Sequence, residues 1–280
     1  MAIVPARDPG GLGINFGFLN WLNQPGVTFL PYAGQIDPKF PQWNLATPER
    51  PFLPTRSIDL TPVRWAIDLG AVRVFDVVAV ININTTGARL EYSLIPNDPA
   101  PSQIELFNLA RNPYNGRVNV SRWVSPSITA RYLGLVAGEY PPPIDAPWDR
   151  ISIGGLFVGQ GYPTPRDIAW NYKPVMVQPR IDAVSATGQW RQRLIAGGAF
   201  TRIAAHRLAM RNPSTGPAHD DQLAAWLELE RVWEIYDCAL VTLRKDDPAL
   251  TWMMRRVSQP EWTVAQDFPE ADLEVEEAIA

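Results

Sequence analysis

The sequence predicts a mainly β protein: an N-terminal β-sandwich followed by a smaller α+β unit with one clear helix. Three observations lead there. Proline fills 28 of 280 positions and charged residues only 19%. That composition suits short strands and many loops, because proline lacks an N–H donor and clashes inside a helix. Between about 56 and 162, short alternating or β-branched segments recur with turn residues between them, as in a sandwich. One segment alone, 219–236, carries a helical apolar stripe. The chain divides accordingly into an extended arm (1–55), a sandwich (56–162), a crossover (163–180) and an α+β unit (181–280).

In the arm, the run PKFPQWNLATPERPFLP (38–54) places a proline every few residues, which forbids a central strand or a helix interior. The expectation is an extended segment with short strands, docked by Phe16, Phe18, Trp21, Phe29, Tyr32, Phe40 and Trp43. It serves either as the loop-rich edge of the sandwich or as an arm that packs on a neighbouring subunit.

The sandwich begins at RWAIDL (64–69). Trp65, Ile67 and Leu69 share one face, and Arg64, Ala66 and Asp68 the other. Gly70 breaks the pattern. Val72 to Ile83 is mostly β-branched and predicts a strand buried on both faces. TTG (85–87) turns the chain, and in ARLEYSLI (88–95) Leu90, Tyr92 and Leu94 share a face. RVNVSRWV (117–124), TARYLGLVAG (129–138) and DRISIGGLFVGQGY (149–162) predict three further strands.

Beyond the crossover, residues 189–212 fit strand or helix, and their alanine content favours helix. In 219–236, Asp220 or Asp221 can cap the helix. Leu223, Trp226, Leu227 and Trp233 form its stripe. CALVTLR (238–244) predicts a strand and KDDP (245–248) a turn. Residues 249–264 predict a hairpin-like pair. The tail, FPEADLEVEEAIA (268–280), alternates acidic and apolar residues.

Charge narrows the function. Twenty-five Lys and Arg against 29 Asp and Glu leave a net charge of -4, which offers no basic field for nucleic acid. A single cysteine, Cys238, excludes an intrachain disulfide and fits synthesis in the cytosol. MAIVPARDPGGLG lacks the apolar core of a signal peptide, and no run of 18 apolar residues predicts a membrane span.

Chemistry is equally sparse. Two histidines, His206 and His219, stand without HExxH or paired-cysteine spacing. No GxSxG or GxxxxGK[ST] is present. Cys238 lies in an apolar stretch that predicts a buried, inert thiol. Asp246 and Asp247 belong to a turn. The expectation is a protein without catalysis, metal or cofactor. In the tail, Asp272, Glu274 and Glu276 share a face opposite Leu273 and Val275. They form either a solvated edge strand whose charges prevent unwanted pairing or a charge-complementary contact with another subunit.

Trp65, Ile67, Asp68, Leu69 and Gly70, followed by Val77, Val78 and Val80, resemble the W-x-I-D-L-G strand unit of discoidin-like domains. These are also called coagulation-factor type C or galactose-binding-like sandwiches, with a jelly-roll β architecture. ARYLGLVAG (130–138) resembles that family's penultimate strand and ISIGGLFVG (151–159) its closing strand. The resemblance covers about residues 56–162. Those domains often carry Asp-Gly and a Thr before the Trp, near a structural calcium; RSIDLTPVRW stands here instead, so no calcium is expected.

The longer layout is loosely similar to distal tail proteins, and so to tail-tip or baseplate components of tailed bacteriophages. That resemblance implies a non-catalytic virion structural protein, made in the host cytoplasm and assembled with other tail proteins and copies of itself. Its interface would use Phe16, Phe18, Trp21, Phe29, Trp43, Asp272, Glu274 and Glu276. Discoidin-like loops often bind sugars, so the alternative is a host-surface glycan-binding module using Trp123, Tyr140 and Trp148.

Overall fold

The computed structural model describes residues 15–30, 35–51, 53–85, 87–106, 118–138, 149–162, 228–243, 247, 249–257 and 274–278 in full, and the backbone alone of 168–169, 172–177, 180–184, 190–194, 200–210, 262–265 and 268–273. The chain is mainly β. The first half contributes β1 (Asn15–Asn20), β2 (Thr28–Leu30), β3 (Thr55–Arg56), β4 (Val63–Ile83), β5 (Ala88–Ser93), β6 (Ser102–Glu105), β7 (Val120–Ala137) and β8 (Ser152–Tyr162). The second half contributes β9 (Ile168–Ala169), β10 (Tyr172–Val177), β11 (Arg180–Val184), β12 (Trp190–Leu194), β13 (Phe200–Met210), β14 (Cys238–Thr242), β15 (Thr251–Arg256), β16 (Trp262–Ala265) and β17 (Phe268–Glu277). Among the described residues one α-helix occurs, α1 (228–235). Fifteen strands join one antiparallel sheet, and β11 with β12 forms a separate hairpin.

The N-terminal half is consistent with a discoidin-like β-sandwich. Its frame is the pair β4–β7, which runs antiparallel with register shifts between Asp68 and Arg73 and between Phe75 and Val77. Bulges of this kind bend a strand and let it pass from one layer to the next. Trp65, Ile67 and Leu69 before the bend, and Val78 and Val80 after it, therefore meet in one core with Leu90, Leu133, Leu135, Leu156 and Val158. The alternation at 64–69 is thus a core face, as the pattern predicts. Gly70 does not end the strand; it starts the bulge. RVNVSRWV and TARYLGLVAG likewise fall mainly in one strand, β7, rather than two.

Of the run Val72 to Ile83, Val72 and Val74 are exposed, while Val77–Ile81 is buried on both faces because two cores lie against it. Val78 and Val80 face the sandwich, while Val77, Ala79 and Ile81 meet Phe157, Leu240 and Met253. Leu240 and Met253 belong to the β14–β15 hairpin, whose strands pair from Cys238↔Arg255 to Thr242↔Thr251. A polar seam runs beside this contact. Asn119 Nδ2 donates to the Thr251 carbonyl (2.7 Å), and the Asn119 side-chain oxygen accepts the Asn82 N–H (2.8 Å). The hydroxyls of Ser121 and Thr251 lie 2.8 Å apart, and those of Thr242 and Thr251 3.1 Å apart. Buried polar groups need such partners, so the seam fixes where the hairpin can dock.

β1 sits in the interior of the sheet, paired with β14 on one side and β8 on the other. Its strand alternation turns Phe16 and Phe18 toward α1, where Trp233 packs edge-on at 5.3 Å from each ring. Val241, Trp252 and Val275 complete that core. The N-terminal strand therefore joins the two halves into one sheet.

Three other expectations change. Residues 190–194 and 200–210 are strands, not a helix; pairing of β13 with β10 and β17 outweighs alanine's propensity. β15 and β16 are not a hairpin, since both pair with β17. β17 is no edge strand, because β13 and β15 flank it.

Candidate functional site

A cleft among the described residues lies on the outer face of β4, β7 and β5. Because side chains alternate across a strand, register decides which residues meet. Arg64, Ala66 and Asp68 of β4 stand opposite Val136, Gly134 and Tyr132 of β7. Arg89, Glu91 and Ser93 of β5 stand opposite the same three β7 residues on its other side. The middle row is Ala66, Gly134 and Glu91, with Gly134 at its centre. Two small residues side by side leave room over β7 for a neighbouring side chain to cross.

Gly134 has a specific role. A Cβ there would lie 2.7 Å from Arg64 Nε and 2.8 Å from Nη2. Its absence lets the Arg64 guanidinium cross β7 and pair with Glu91 Oε2 at 2.9 Å. Arg89 approaches the other oxygen, Oε1, at 3.1 Å. Glu91 is nearly buried and holds two cations with two oxygens. Near the row below, Arg131 forms a two-pronged pair with Asp68 at 2.9 and 3.0 Å, with its guanidinium 5.1 Å from the Tyr132 ring. That hydrogen-bonded pairing holds the Asp68 carboxyl below its ordinary range.

One wall of the cleft is the connection from β5 to β6. Ser93 Oγ donates to Asp98 Oδ2 at 2.6 Å and accepts the Ile95 N–H at 3.0 Å, while the Ala100 N–H donates to Asp98 Oδ1 at 3.0 Å. These bonds, the Ser93 hydroxyl first, hold the Asp98 carboxyl below its ordinary range. The loop is thus fixed by its own side chains and presents Leu94 and Ile95 outward, 56% and 63% exposed. The cleft is shallow and open to solvent, bounded by Arg64, Glu91, Tyr92, Tyr132, Ile95 and Asp98 among others. It offers carboxylate acceptors, a guanidinium donor, the Tyr132 ring and an apolar lip. Mixed lining of that kind orients a small polar ligand that has one apolar face.

Sequence reasoning reached these residues only in part. It placed Arg64, Ala66 and Asp68 on the face away from the core, but named none as a site. The usable signal was three strands whose non-core positions are Arg and Asp, Arg and Glu, and Tyr and Gly. Their alignment depends on register, which no single segment displays.

The residues named from sequence fall elsewhere. Trp123 is no loop residue. It sits mid-strand in β7, opposite Val77, and its Nε1 donates to Thr242 Oγ1 at 3.3 Å. Its ring occupies the space that a side chain at Gly161 would need. Its ring packs between β8 and the C-terminal hairpin. Tyr140 and Trp148 lie outside the described residues, as do His219, Leu223, Trp226 and Leu227. The side chains of His206 and Asp272 lie outside them too.

Among the residues expected at an interface, Phe16 and Phe18 have their rings buried within the chain. Trp21 is half-buried; it donates to the Val74 carbonyl at 2.8 Å and lies 4.8 Å from the Arg73 guanidinium. Phe29 packs on the sandwich core from β2. Trp43, on a short 3-10 turn (Gln42–Ala46), is 64% exposed. Glu276 is held by Arg255 of its own chain at 2.7 Å. Glu274 is half-buried on the interior strand β17, where its carbonyl accepts the Val257 N–H.

Cys238 is partly buried, and burial pushes its thiol up to about 11, so it is not an activated nucleophile. Among the described residues, no three His, Cys, Asp or Glu side chains gather to hold a metal ion. No helix of the described residues is long and apolar enough to cross a membrane.

No protein-family model matches the chain, and no curated protein matches it. Solved structures give partial likenesses. A GH29 fucosidase from Ruminococcus gnavus in complex with fucose is 16% identical, with a TM-score of 0.38. The match covers 51% of this chain and 26% of that one. A Streptococcus pneumoniae fucose binding module is 15% identical with a TM-score of 0.37, covering 51% of this chain and 95% of the module. The family 32 CBM of NanJ from Clostridium perfringens, in complex with galactose, is 12% identical with a TM-score of 0.35; coverage is 52% and 98%. The chain thus spans about a quarter of the fucosidase. Likeness of this degree carries no ligand from those proteins to this one.

Proposed function

We propose that the chain is a non-catalytic binding protein whose sandwich recognises a saccharide in the Arg64–Glu91–Tyr132 cleft. The observation that supports this most is the arrangement at Gly134, where Arg64 crosses β7 to Glu91 and the Tyr132 ring and Asp98 stand beside the pair. A sugar presents hydroxyls around its edge and a C–H face. Glu91 and Asp98 accept from hydroxyls, Arg64 donates, and Tyr132 or Ile95 covers the apolar face. The groups are already held by their own bonds, so little ordering is needed on binding.

A glycan array probed with the full chain tests the reading. Binding that is lost in Tyr132→Ala, with the fold retained, is the expected result. No binding to any glycan would overturn it.

A second reading, assembly within a bacteriophage tail tip or baseplate, has Trp43 in its favour. A tryptophan this exposed on the N-terminal excursion suits contact with a neighbouring protein. It predicts an oligomer in sedimentation and presence of the chain in purified virions. A strict monomer missing from virions contradicts it. The two readings are compatible.

A further inference from the structure

We infer that Glu91 sets the ligand's charge: it engages the guanidinium groups of Arg64 and Arg89, and with Asp98 it puts two carboxylates against the one arginine that lines the cleft, so the cleft selects neutral over acidic saccharides. This rests on the saccharide reading above.

Arg64 and Arg89 would ordinarily favour a carboxylate or sulfate, because guanidinium groups pair with such anions through parallel hydrogen bonds. Here both are already engaged. Glu91 gives one oxygen to Arg64 at 2.9 Å and the other to Arg89 at 3.1 Å. Glu91 is the best shielded of the three, with its side chain 10% exposed against 32% and 41% for the arginines. An incoming anion would have to displace a carboxylate that the sheet already positions, or sit beside it. Asp98 adds a second carboxylate on the loop wall, and the Asp68 charge is met by Arg131. Among the described residues that line the cleft, Arg64 is the one cation, against the carboxylates of Glu91 and Asp98. Like charges placed together cost affinity, and repulsion of this kind is a common source of specificity.

The test uses the full chain and two matched sugar pairs, glucose with glucuronate and galactose with galacturonate. Inorganic sulfate serves as a sugar-free anion. Binding is followed through the backbone amides of Glu91 and Gly134 by NMR, in wild type and in Glu91→Gln, which keeps shape and removes charge. Wild type is expected to take the neutral member of a pair at least about tenfold more tightly than the acidic one, which corresponds to about 1.4 kcal/mol. It is expected to ignore sulfate. Glu91→Gln is expected to gain sulfate and uronate binding.

Wild-type binding of uronate or sulfate at these amides overturns the inference. So does a folded Glu91→Gln that still refuses anions. Should neither protein take a neutral sugar, the saccharide reading fails, while sulfate still decides the role of Glu91. A variant that does not fold leaves the wild-type arm to decide.

Discussion

The Arg64 guanidinium lies against Gly134 on its way to Glu91, in the space that any side chain at position 134 would fill. Three strands are needed to make this arrangement, yet it hangs on one missing methyl group. Gly134→Ala should therefore displace the guanidinium and break the pair. Arg64 is a third exposed and flexible, so the cost in stability should stay within about 1 kcal/mol. Saccharide affinity should fall about tenfold or more. Calorimetric binding alongside thermal unfolding checks the split between the two.

Phe16 carries a different weight. It lies in the strand that joins the halves, fully buried against Trp233, Val241 and Trp252. Phe16→Ala should cost about 3–5 kcal/mol, the range for deleting a buried aromatic ring. Urea unfolding measures it. A loss below about 1 kcal/mol would mean that β1 is dispensable.

The polar seam makes a third claim. Asn119 satisfies the Asn82 N–H and the Thr251 carbonyl at once. Asn119→Ala orphans both, and each unpaired buried group costs about 1–3 kcal/mol. Hydrogen exchange should show faster exchange in β14 and β15, which the seam holds to the sandwich, than in β5.

The loop wall depends on pH. The Ser93 hydroxyl and the Ala100 N–H hold the Asp98 carboxyl below its ordinary range. A depressed folded pKa stabilises the loop above the usual carboxylate range. That contribution is lost as pH falls through the depressed value. Ser93→Ala should raise the Asp98 pKa toward the ordinary one, seen by NMR titration of the carboxyl carbon. An unchanged titration would deny the Ser93 bond.

Much of the sandwich was legible because its cause is local. Alternation at 64–69 and the β-branched run at 77–83 name their own burial, and the structure adds only what each face meets. The arm was not legible. Pro38 to Pro54 dominates its composition and hides the strand Asn15–Asn20, whose partners lie more than 130 residues away. β13 looked helical because alanine's preference is local and its pairing with β10 and β17 is not. The cleft failed to show for the same reason: Gly134 becomes its centre only through register with Ala66 and Glu91. Trp123 lies beside the register shift in β7 around Pro126, and its packing on Gly161 depends on a strand that its own segment does not display.

The most direct test of the cleft is a titration of the full chain with neutral saccharides, comparing wild type with Gly134→Val. The account predicts that wild type binds, with its largest amide shifts at Glu91, Tyr132 and Gly134, and that the folded variant does not. Equal binding by both proteins, or wild-type shifts confined to other parts of the sheet, would contradict it.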